Sequence, residues 1–345
     1  MTTIMDVAAR AGVSMKTVSR VLNNEAHVRP VLRERVVAAM AALDYRPNLA
    51  ARQLAANRSF LISLVMQSRS LSYLSEVIVA AAAECRQHGY HLISETFEEA
   101  EGAETVVGRV LGRLRPDGII LTPPPANDPN MLAAIERTGT PLVRLAGIGE
   151  GYGTVVAARE RGIAAEVVRH LLGAGRRRIG LIAPPEQHLA AQERVLGYRD
   201  ALAEAGIPAD PALIVAGRFD FGSGVAAAEQ LLSLREAPDA IFATNDSMAL
   251  GVLAAASRRG VAVPSRLAVA GFDDSPSGRM VYPALTTVRQ PIAAMACNAV
   301  CLLVGKADCV VPTAYELIVR GSSSEAALSR GIDLAGDYEV GNALA

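Results

Sequence analysis

The sequence predicts an α/β protein in which an all-α helix-turn-helix headpiece, residues 1–46, precedes a two-lobed core built on parallel sheets. The first observation is charge: residues 1–58 contain nine Lys or Arg and four acidic residues, a net +5, whereas the whole chain carries −1 and the remainder therefore −6. The second is a run of three short amphipathic helices within the headpiece. The third is that short apolar runs alternate with amphipathic helical segments after residue 60, which is typical of parallel sheets covered by helices.

Composition excludes several classes of protein. Hydrophobic residues make up 51% of the 345 residues, enough for packed cores and too many for a disordered chain. The longest uncharged run, Gln290 to Gly305, falls short of the roughly 18–20 apolar residues of a membrane span, so we expect no membrane partner. Asp6 and Arg10 interrupt the place where a secretory signal would have its apolar segment. With only four cysteines, the sequence predicts a cytoplasmic protein without a disulfide scaffold.

Capping and breaking residues set the limits of the three headpiece helices. Thr3 caps the first helix, and Gly12 ends it where a left-handed residue is needed. Ser14 caps the second helix, Met15 to Leu22, which leaves polar and basic side chains facing out. Pro30 opens the third helix. This arrangement is typical of a helix-turn-helix, although an outward basic face is also common on helices that bind nothing.

The headpiece resembles that of the lac repressor family. The matching stretches are Met-Asp-Val-Ala at 5–8, Ala-Gly-Val-Ser at 11–14, Thr-Val-Ser-Arg-Val-Leu-Asn at 17–23, Arg-Glu-Arg-Val at 33–36 and Leu-Asp-Tyr-Arg-Pro-Asn at 43–48. The resemblance implies that the second helix enters the major groove of operator DNA, where Lys16 and Arg20 donate to guanine and Met15 touches a thymine methyl group. Arg29 replaces a capping Ser or Thr of many members and is a candidate for a phosphate contact. The implied DNA contacts in the headpiece are Ile4, Ser14, Met15, Lys16, Thr17, Ser19, Arg20, Asn23, His27 and Arg29.

Residues 47–58 form an Ala-rich segment that predicts a short linker helix capped by Asn48. In the lac repressor family the matching segment is a hinge helix that orders on operator DNA, and the two hinge helices of a dimer lie in the minor groove. The resemblance implies that Leu54 enters a central base step, with Ala51 and Ala55 small enough for close approach. The alternative is that Leu54 packs on its own domain. Because so short a helix is marginal in water, a movement of the core can melt or order it.

After the hinge, nine candidate strands alternate with helices, which suits two parallel sheets better than one. Ligands of such sheets bind beyond the carboxyl ends of the strands. The expected strands are Phe60–Met66, His91–Glu95, Gly118–Leu121, Leu142–Leu145, Arg178–Ala183, Leu213–Ala216, Ala240–Ala243, Leu267–Gly271 and Glu316–Val319. The expected helices include Leu74–His88, Met131–Arg137, Glu160–Leu172, Val195–Ala205, Ser223–Leu232, Ser247–Arg259 and Ile292–Val304.

Further stretches, at 194–198, 244–251, 270–275 and 285–291, resemble the effector-binding core of the lac repressor family. The resemblance implies a periplasmic-binding-protein-like core over 59–330. By analogy, the core has a near lobe next to the DNA, a distal lobe and a following tail. Their expected limits are 60–157 with 291–319 for the near lobe, 158–290 for the distal lobe and 331–345 for the tail.

The resemblance also implies an effector between the two lobes. Asp273 accepts hydrogen bonds, Arg194 donates them and Asn245 does both, which suits the vicinal hydroxyls of a sugar or nucleoside. Asp273 and Asn245 have capping as their alternative role, and Phe219 has packing in the core. The expected effector contacts are Gln67, Tyr73, Arg194, Phe219, Asn245, Asp273 and Gln290.

Ala146 stands where many members of the family carry a sugar-binding Asp. Arg144, two residues earlier, either compensates for the missing carboxylate or points away. This difference argues against a simple lactose- or ribose-type ligand and leaves an acidic sugar or a larger glycoside open.

Together these features predict a sequence-specific DNA-binding transcriptional regulator, a repressor that binds a palindromic operator as a homodimer under control of a small carbohydrate-like effector. The alternatives are a solute-binding protein for sugar uptake and a regulator responding to a nucleoside or purine corepressor. No enzyme, catalytic residue or cofactor is expected, because the sequence contains no nucleophile elbow, Walker loop or His/Glu metal pair. Cys297 and Cys301 lack a His or further Cys at ligand spacing, so we expect buried core cysteines and no metal site.

Overall fold

The chain divides into two compact units, Met1–Phe60 and Leu61–Ala345. Among the described residues, no helix is both long and apolar enough to cross a bilayer. The predicted DNA contacts Asn23, Asn48, Ala51, Leu54 and Ala55 and the predicted tail lie outside the described residues. The computed structural model describes residues 2–22, 27–45, 53, 56, 58–67, 71–98, 100–157 and 159–329.

The described part of the first unit contains the helices α1 (Ile4–Ala11), α2 (Met15–Leu22) and α3 (Pro30–Ala42). A capping box starts α1: the Asp6 carboxylate accepts the Thr3 N–H at 2.8 Å, and the Thr3 hydroxyl accepts the Asp6 N–H at 3.4 Å. Gly12 ends α1 with a φ of 61°, and a β-carbon there would lie 2.5 Å from Nη2 of Arg35. The left-handed backbone therefore favours glycine at the turn, and a larger residue would also displace the end of the Arg35 side chain.

The headpiece helices enclose one small core. The Arg35 guanidinium on α3 donates to the Ala11 carbonyl at 2.6 Å, which ties α3 to the end of α1. Arg35 therefore has a structural role, although the sequence shows it only as one more basic residue. The buried core residues are Val7, Ala8, Ala11, Val18, Val21, Val36 and Ala39.

The near lobe is built on a five-stranded parallel sheet with strand order β2-β1-β3-β4-β5. Its strands are β1 (Leu61–Met66), β2 (His91–Thr96), β3 (Gly118–Leu121), β4 (Leu142–Leu145) and β5 (Thr154–Val156). The helices within this stretch are α4 (Leu71–Gln87), α5 (Ala103–Leu114) and α6 (Pro129–Glu136). The sequence does not predict the edge strand β5, because its three residues are too few to form an apolar run. Two of the three are exposed in the structure.

The distal lobe is built on a four-stranded parallel sheet with order β7-β6-β8-β9. Its strands are β6 (Ile179–Ala183), β7 (Ile214–Ala216), β8 (Ala240–Ala243) and β9 (Ala268–Ala270). Two separate hydrophobic cores contain residues of this sheet, one with α7 and α8 and one with α9 and α10. These helices are α7 (Glu160–Gly173), α8 (Leu189–Glu204), α9 (Phe221–Leu232) and α10 (Asp246–Arg258).

The last part of the chain runs through both lobes. It contains α11 (Pro276–Met280), β10 (Thr287–Arg289), α12 (Ile292–Val304), β11 (Glu316–Ile318) and α13 (Glu325–Ser329). Helix α12 packs on α4 and on strands of the near sheet. Strand β11 instead pairs antiparallel with β10, and Leu317 packs against the distal core. The predicted near-lobe segment 291–319 is therefore wrong in its last residues, because β11 finds its partner strand and its apolar contacts in the distal lobe.

Candidate functional site

A cleft in the second unit brings together side chains from both lobes. It holds about 570 Å³ of non-protein space, part of it open to solvent, which lies within the roughly 300–1,000 Å³ range of small-ligand sites. All seven residues predicted as effector contacts line this cleft. Further lining residues are Leu74, Pro123, Ala146, Glu160, His188, Ala190 and Ala191.

The cleft lies where the carboxyl ends of the parallel strands meet. Gln67 follows β1 of the near sheet, whereas Asn245 follows β8 of the distal sheet. Phe219 and Asp273 come a few residues after β7 and β9, and Gln290 comes directly after β10. Because parallel strands end at one edge of a sheet, residues far apart in sequence converge there.

Arg194 lies within helix α8, because this helix begins at Leu189 and not at Val195, where the sequence predicts its start. Its Nε and Nη2 donate to the Glu160 carboxylate at 2.8 and 3.2 Å, and Nη1 donates to the Thr244 carbonyl. The guanidinium also stacks on Phe272, with Cζ 3.8 Å from the ring centroid. Three of the five N–H groups of the guanidinium are thus used by described residues.

Asn245 is the N-cap of α10. Its Oδ1 accepts the Met248 N–H at 3.0 Å, and its Nδ2 donates to the Phe219 carbonyl at 3.0 Å. The amide therefore holds two loops of the cleft together, as well as lining it. Asp246 is the first residue of this helix, and its carboxylate accepts hydrogen bonds from Ser275 and Thr287.

Asp273 is almost fully buried beside Gln290, whose amide donates to the carboxylate at 2.6 Å. Burial raises the pKa of Asp273 to about 8, although the nearby positive charge of Arg194 opposes that shift and the carboxylate of Asp246 adds to it. Near neutral pH, Asp273 is therefore able to act as a hydrogen-bond donor or as an acceptor.

Three residues of the cleft have left-handed backbone angles without being glycine. The φ angles are 49° at Ala146, 64° at Phe219 and 130° at Asp273. Such conformations are costly for residues with a β-carbon and tend to cluster at ligand sites. All three of these residues line the same cleft.

Arg144 points away from the cleft. Its side chain is fully buried and donates to the carbonyls of Ala126 at 2.7 Å and Ile148 at 2.8 Å. Arg144 therefore does not compensate for the carboxylate that is missing at Ala146. The described carboxyl groups of the cleft are Glu160 and Asp273.

Two polar residues of the cleft, Glu160 and His188, are not among the predicted effector contacts, because neither belongs to a recognisable sequence motif. The sequence marks Glu160 only as the start of a helix, because the residue it pairs with, Arg194, lies 34 positions further along the chain. The ring of His188 stands edge-on to that of Phe219 with centroids 4.9 Å apart. The signal available in the sequence was a single acid in the first turn of α7.

On the headpiece, α2 presents a polar and basic surface. The Ser14 hydroxyl accepts the Thr17 N–H at 3.2 Å, which caps this helix as predicted. The predicted contacts that are exposed are Ser14, Met15, Lys16, Arg20, His27 and Arg29, and those that are half-buried are Ile4, Thr17 and Ser19. Exposure leaves the long side chains at the start and the outer face of α2 accessible to a DNA groove.

Comparison with known proteins gives two family matches. Residues 3–48 match the model of bacterial regulatory proteins of the lacI family, and residues 168–323 match a periplasmic binding protein-like domain. The HTH-type transcriptional regulator DegA of Bacillus subtilis (strain 168) is 35% identical over 299 residues, which covers 85% of this chain and 88% of that protein. The HTH-type transcriptional regulator GalS of Salmonella typhimurium is 38% identical over 298 residues, which covers 86% and 87%.

Solved structures agree with these matches. The transcriptional regulator CelR–cellobiose complex is 30% identical with a TM-score of 0.68, covering 94% of this chain and 100% of that one. The lac repressor dimer bound to operator and the anti-inducer ONPF is 30% identical with a TM-score of 0.76, covering 93% and 99%. These relatives are regulators and not enzymes, and they do not favour the uptake-protein alternative. The chain belongs to the LacI family of bacterial DNA-binding transcriptional regulators.

Proposed function

We propose that this regulator is a repressor that binds a palindromic operator as a homodimer and is controlled by a carbohydrate in the interlobe cleft. The observation that carries the proposal is the convergence of the seven predicted effector contacts, spread from Gln67 to Gln290, on one cleft. Relatives solved with cellobiose and as an operator-bound dimer support it. Because its target is chromosomal DNA, we place its action in the cytoplasm.

The chemistry of the cleft favours a neutral carbohydrate over an acidic one. The Arg194 guanidinium in its described lining is already paired with Glu160, so its charge is not free for the carboxylate of an acidic sugar. Asp273 and Gln290 offer hydrogen-bond donors and acceptors side by side, as vicinal hydroxyls require. Phe219 and Tyr73 add aromatic rings to the lining, a residue type that suits the apolar side of a sugar ring.

The proposed control mechanism couples the cleft to the hinge at residues 47–58. A ligand that touches both lobes favours their closed arrangement, and closure changes the spacing of the near lobes in a dimer. The two hinge helices then lose the shared geometry that places Leu54 in the minor groove. A coupling of about 1–3 kcal/mol, roughly 5- to 150-fold in operator affinity, is typical of such allostery.

On the DNA side, we propose that Lys16 and Arg20 contact guanine, Met15 contacts a thymine methyl group and Arg29 contacts a phosphate. A two-fold dimer places two copies of α2 on two half-sites, which requires a palindromic operator. We retain residues 1–46 as the DNA-binding unit and 47–58 as the hinge.

The test is a selection of random DNA duplexes by the full-length protein at fixed salt, with and without neutral disaccharides, uronic acids and nucleosides. We expect a palindrome with a flexible central step, released by one neutral sugar. Enrichment of no sequence under any condition would refute operator binding. A palindrome enriched only in the presence of a nucleoside would instead establish a corepressor and refute the proposed control.

Two variants separate the roles of cleft and hinge. Asp273→Asn is expected to keep operator affinity and lose sugar-dependent release. Glu236→Gln, which removes one negative charge from the distal surface, is its matched control and should respond like the wild type. Leu54→Ala is expected to weaken operator binding, and unchanged affinity together with an unchanged sugar response would exclude the hinge model.

A further inference from the structure

Four side chains with metal-binding donor atoms meet where helices α4 and α12 of the near lobe pack together. Glu84 lies in the last turn of α4, His88 directly follows that helix, Cys301 lies on α12, and Cys309 ends a short 3-10 turn, Ala307–Cys309. One donor atom from each residue, a carboxylate oxygen, a ring nitrogen and two sulfurs, lies within 4.8 Å of the other three.

The spacing of the donors is close to that of a tetrahedral site. Bonds of roughly 2.0–2.3 Å to one zinc ion put ligand atoms about 3.3–3.8 Å apart in a tetrahedron. Sγ of Cys301 lies 3.4 Å from Oε1 of Glu84 and 4.0 Å from Nε2 of His88, and the latter two atoms are 2.8 Å apart. Shifts of about an ångström in side-chain position, well within rotamer adjustments, are sufficient to bring all four to bonding distance.

The cluster is not a set of exposed surface charges. Cys301 is 1% exposed, and the side chains of Glu84 and His88 are 13% and 18% exposed. Hydrogen bonds centred on the Glu84 carboxylate already hold the imidazole and the Cys301 thiol towards one point. A cation at that point replaces the bridging protons and keeps the same side-chain directions. Cys309 is half-buried, which leaves a route for the ion.

We propose that Glu84, His88, Cys301 and Cys309 form a binding site for one Zn²⁺-class cation. Two thiolates, an imidazole and a carboxylate favour zinc or cobalt over magnesium and calcium, which prefer oxygen ligands only. Among the described residues, the lining of the effector cleft includes none of the four, so this is a separate site. The bound ion clamps the 3-10 turn and α12 onto α4.

The sequence does not reveal this site because its ligands come from two distant parts of the chain. His88 precedes Cys301 by 213 positions, and only the packing of α4 on α12 brings them together. From the sequence, Cys297 and Cys301 are expected to be buried core cysteines. Cys301 is buried, with a carboxylate and an imidazole among its neighbours, whereas Cys297 is only half-buried.

The test uses the full-length protein with its thiols kept reduced and Co²⁺ as the probe. We expect one Co²⁺ per chain by equilibrium dialysis, with thiolate-to-cobalt charge-transfer absorption that Zn²⁺ abolishes by displacement. Cys301→Ser and Cys309→Ser should each weaken Co²⁺ binding by more than about 100-fold, since even outer-shell changes typically cost 10- to 100-fold. Cys297→Ala, which removes a thiol from the same helix one turn away, should bind Co²⁺ like the wild type.

Thermal unfolding with and without Zn²⁺ provides a second measurement, which shows for each variant whether the folded protein binds the ion. Zn²⁺ should raise the melting temperature of the wild type and of Cys297→Ala, and leave that of Cys309→Ser unchanged. A wild-type protein that takes up no Co²⁺ would overturn the proposal, as would Co²⁺ binding that survives both serine variants. Formation of a Cys301–Cys309 disulfide in air, with no metal uptake by the reduced protein, would also overturn it.

Discussion

The guanidinium of Arg194 is held by the carboxylate of Glu160 through two hydrogen bonds, with Nε–Oε2 at 2.8 Å. The side chains are 8% and 5% exposed, so this is a buried ion pair in the wall of the effector cleft. The bidentate pair fixes the orientation of the Arg194 guanidinium in the cleft wall.

Removal of the Glu160 carboxylate should destabilise the protein, because the charge of Arg194 is then buried without its partner. Glu160→Gln is expected to lower the free energy of unfolding by about 3 kcal/mol, since breaking a buried pair leaves an uncompensated charge. Urea unfolding measures this effect, and Glu166→Gln, an exposed position on the same helix, should change stability by less than about 0.5 kcal/mol. A double-mutant cycle with Arg194→Met should give a coupling energy above about 1 kcal/mol, and additive losses would contradict the pairing.

The raised pKa of Asp273 predicts a pH dependence of stability. Because the unfolded chain loses this proton near the ordinary carboxyl pKa while the folded protein keeps it up to about pH 8, stability falls as pH rises between those values. The free energy of unfolding of the wild type minus that of Asp273→Asn should decrease by up to about 1.4 kcal/mol per pH unit from pH 5 to 8. Above pH 8 the difference should level off. A difference that is flat over this range would show that Asp273 is ionised in the folded protein.

Asp274 predicts the opposite behaviour in acid. Burial acts to raise the pKa of Asp274, but hydrogen bonds from Arg320 and Arg289 and the charge of Arg279 outweigh it, and the net shift is downward. The stability that this carboxylate supplies is present above the ordinary carboxyl pKa and is lost as pH falls through its lowered pKa.

Asp274→Asn should therefore destabilise the distal lobe by about 3 kcal/mol at neutral pH, because it removes a carboxylate that is 2% exposed. Glu316→Gln is the matched control: Glu316 also pairs with Arg289, at 3.0 Å, but is 62% exposed. Its loss should cost less than about 1 kcal/mol. Equal losses in the two variants, measured by urea unfolding, would show that the buried network does not stabilise the lobe.

Two arginines of the headpiece should separate base recognition from phosphate binding. Arg20→Ala is expected to cost about 1–3 kcal/mol on the selected operator and to relax preference at one base position. Arg29→Ala should weaken binding uniformly across sequences and reduce the slope of log affinity against log salt by about 1. Affinities for single-base operator variants at several salt concentrations distinguish the two. If Arg29→Ala relaxed the preference at one base and Arg20→Ala only reduced the salt slope, the assigned roles of the two residues would be wrong.

The headpiece and the alternation of strands and helices were predictable because their signals are local. The residues that start and end the headpiece helices act within one turn of the chain; they are Thr3, Gly12, Ser14 and Pro30. The structure has α2 at Met15–Leu22 and the start of α3 at Pro30, as predicted. Strand β5 could not be predicted from the sequence, because an edge strand of three residues depends on its neighbour β4 for its hydrogen bonds and has little apolar pattern of its own.

By itself, the sequence determined the family, the two-lobed α/β architecture and the group of polar residues that line the cleft. Only the tertiary structure decided how those residues are used: Arg194 is paired with Glu160, Asn245 holds the Phe219 loop, and Arg144 faces away. It also decided that β11 belongs with the distal lobe and that His88 meets Cys301. The physical reason is that caps and periodicity act within a few residues, whereas ion pairs and ligand sets join positions whose distance is set by the packing of whole helices and sheets.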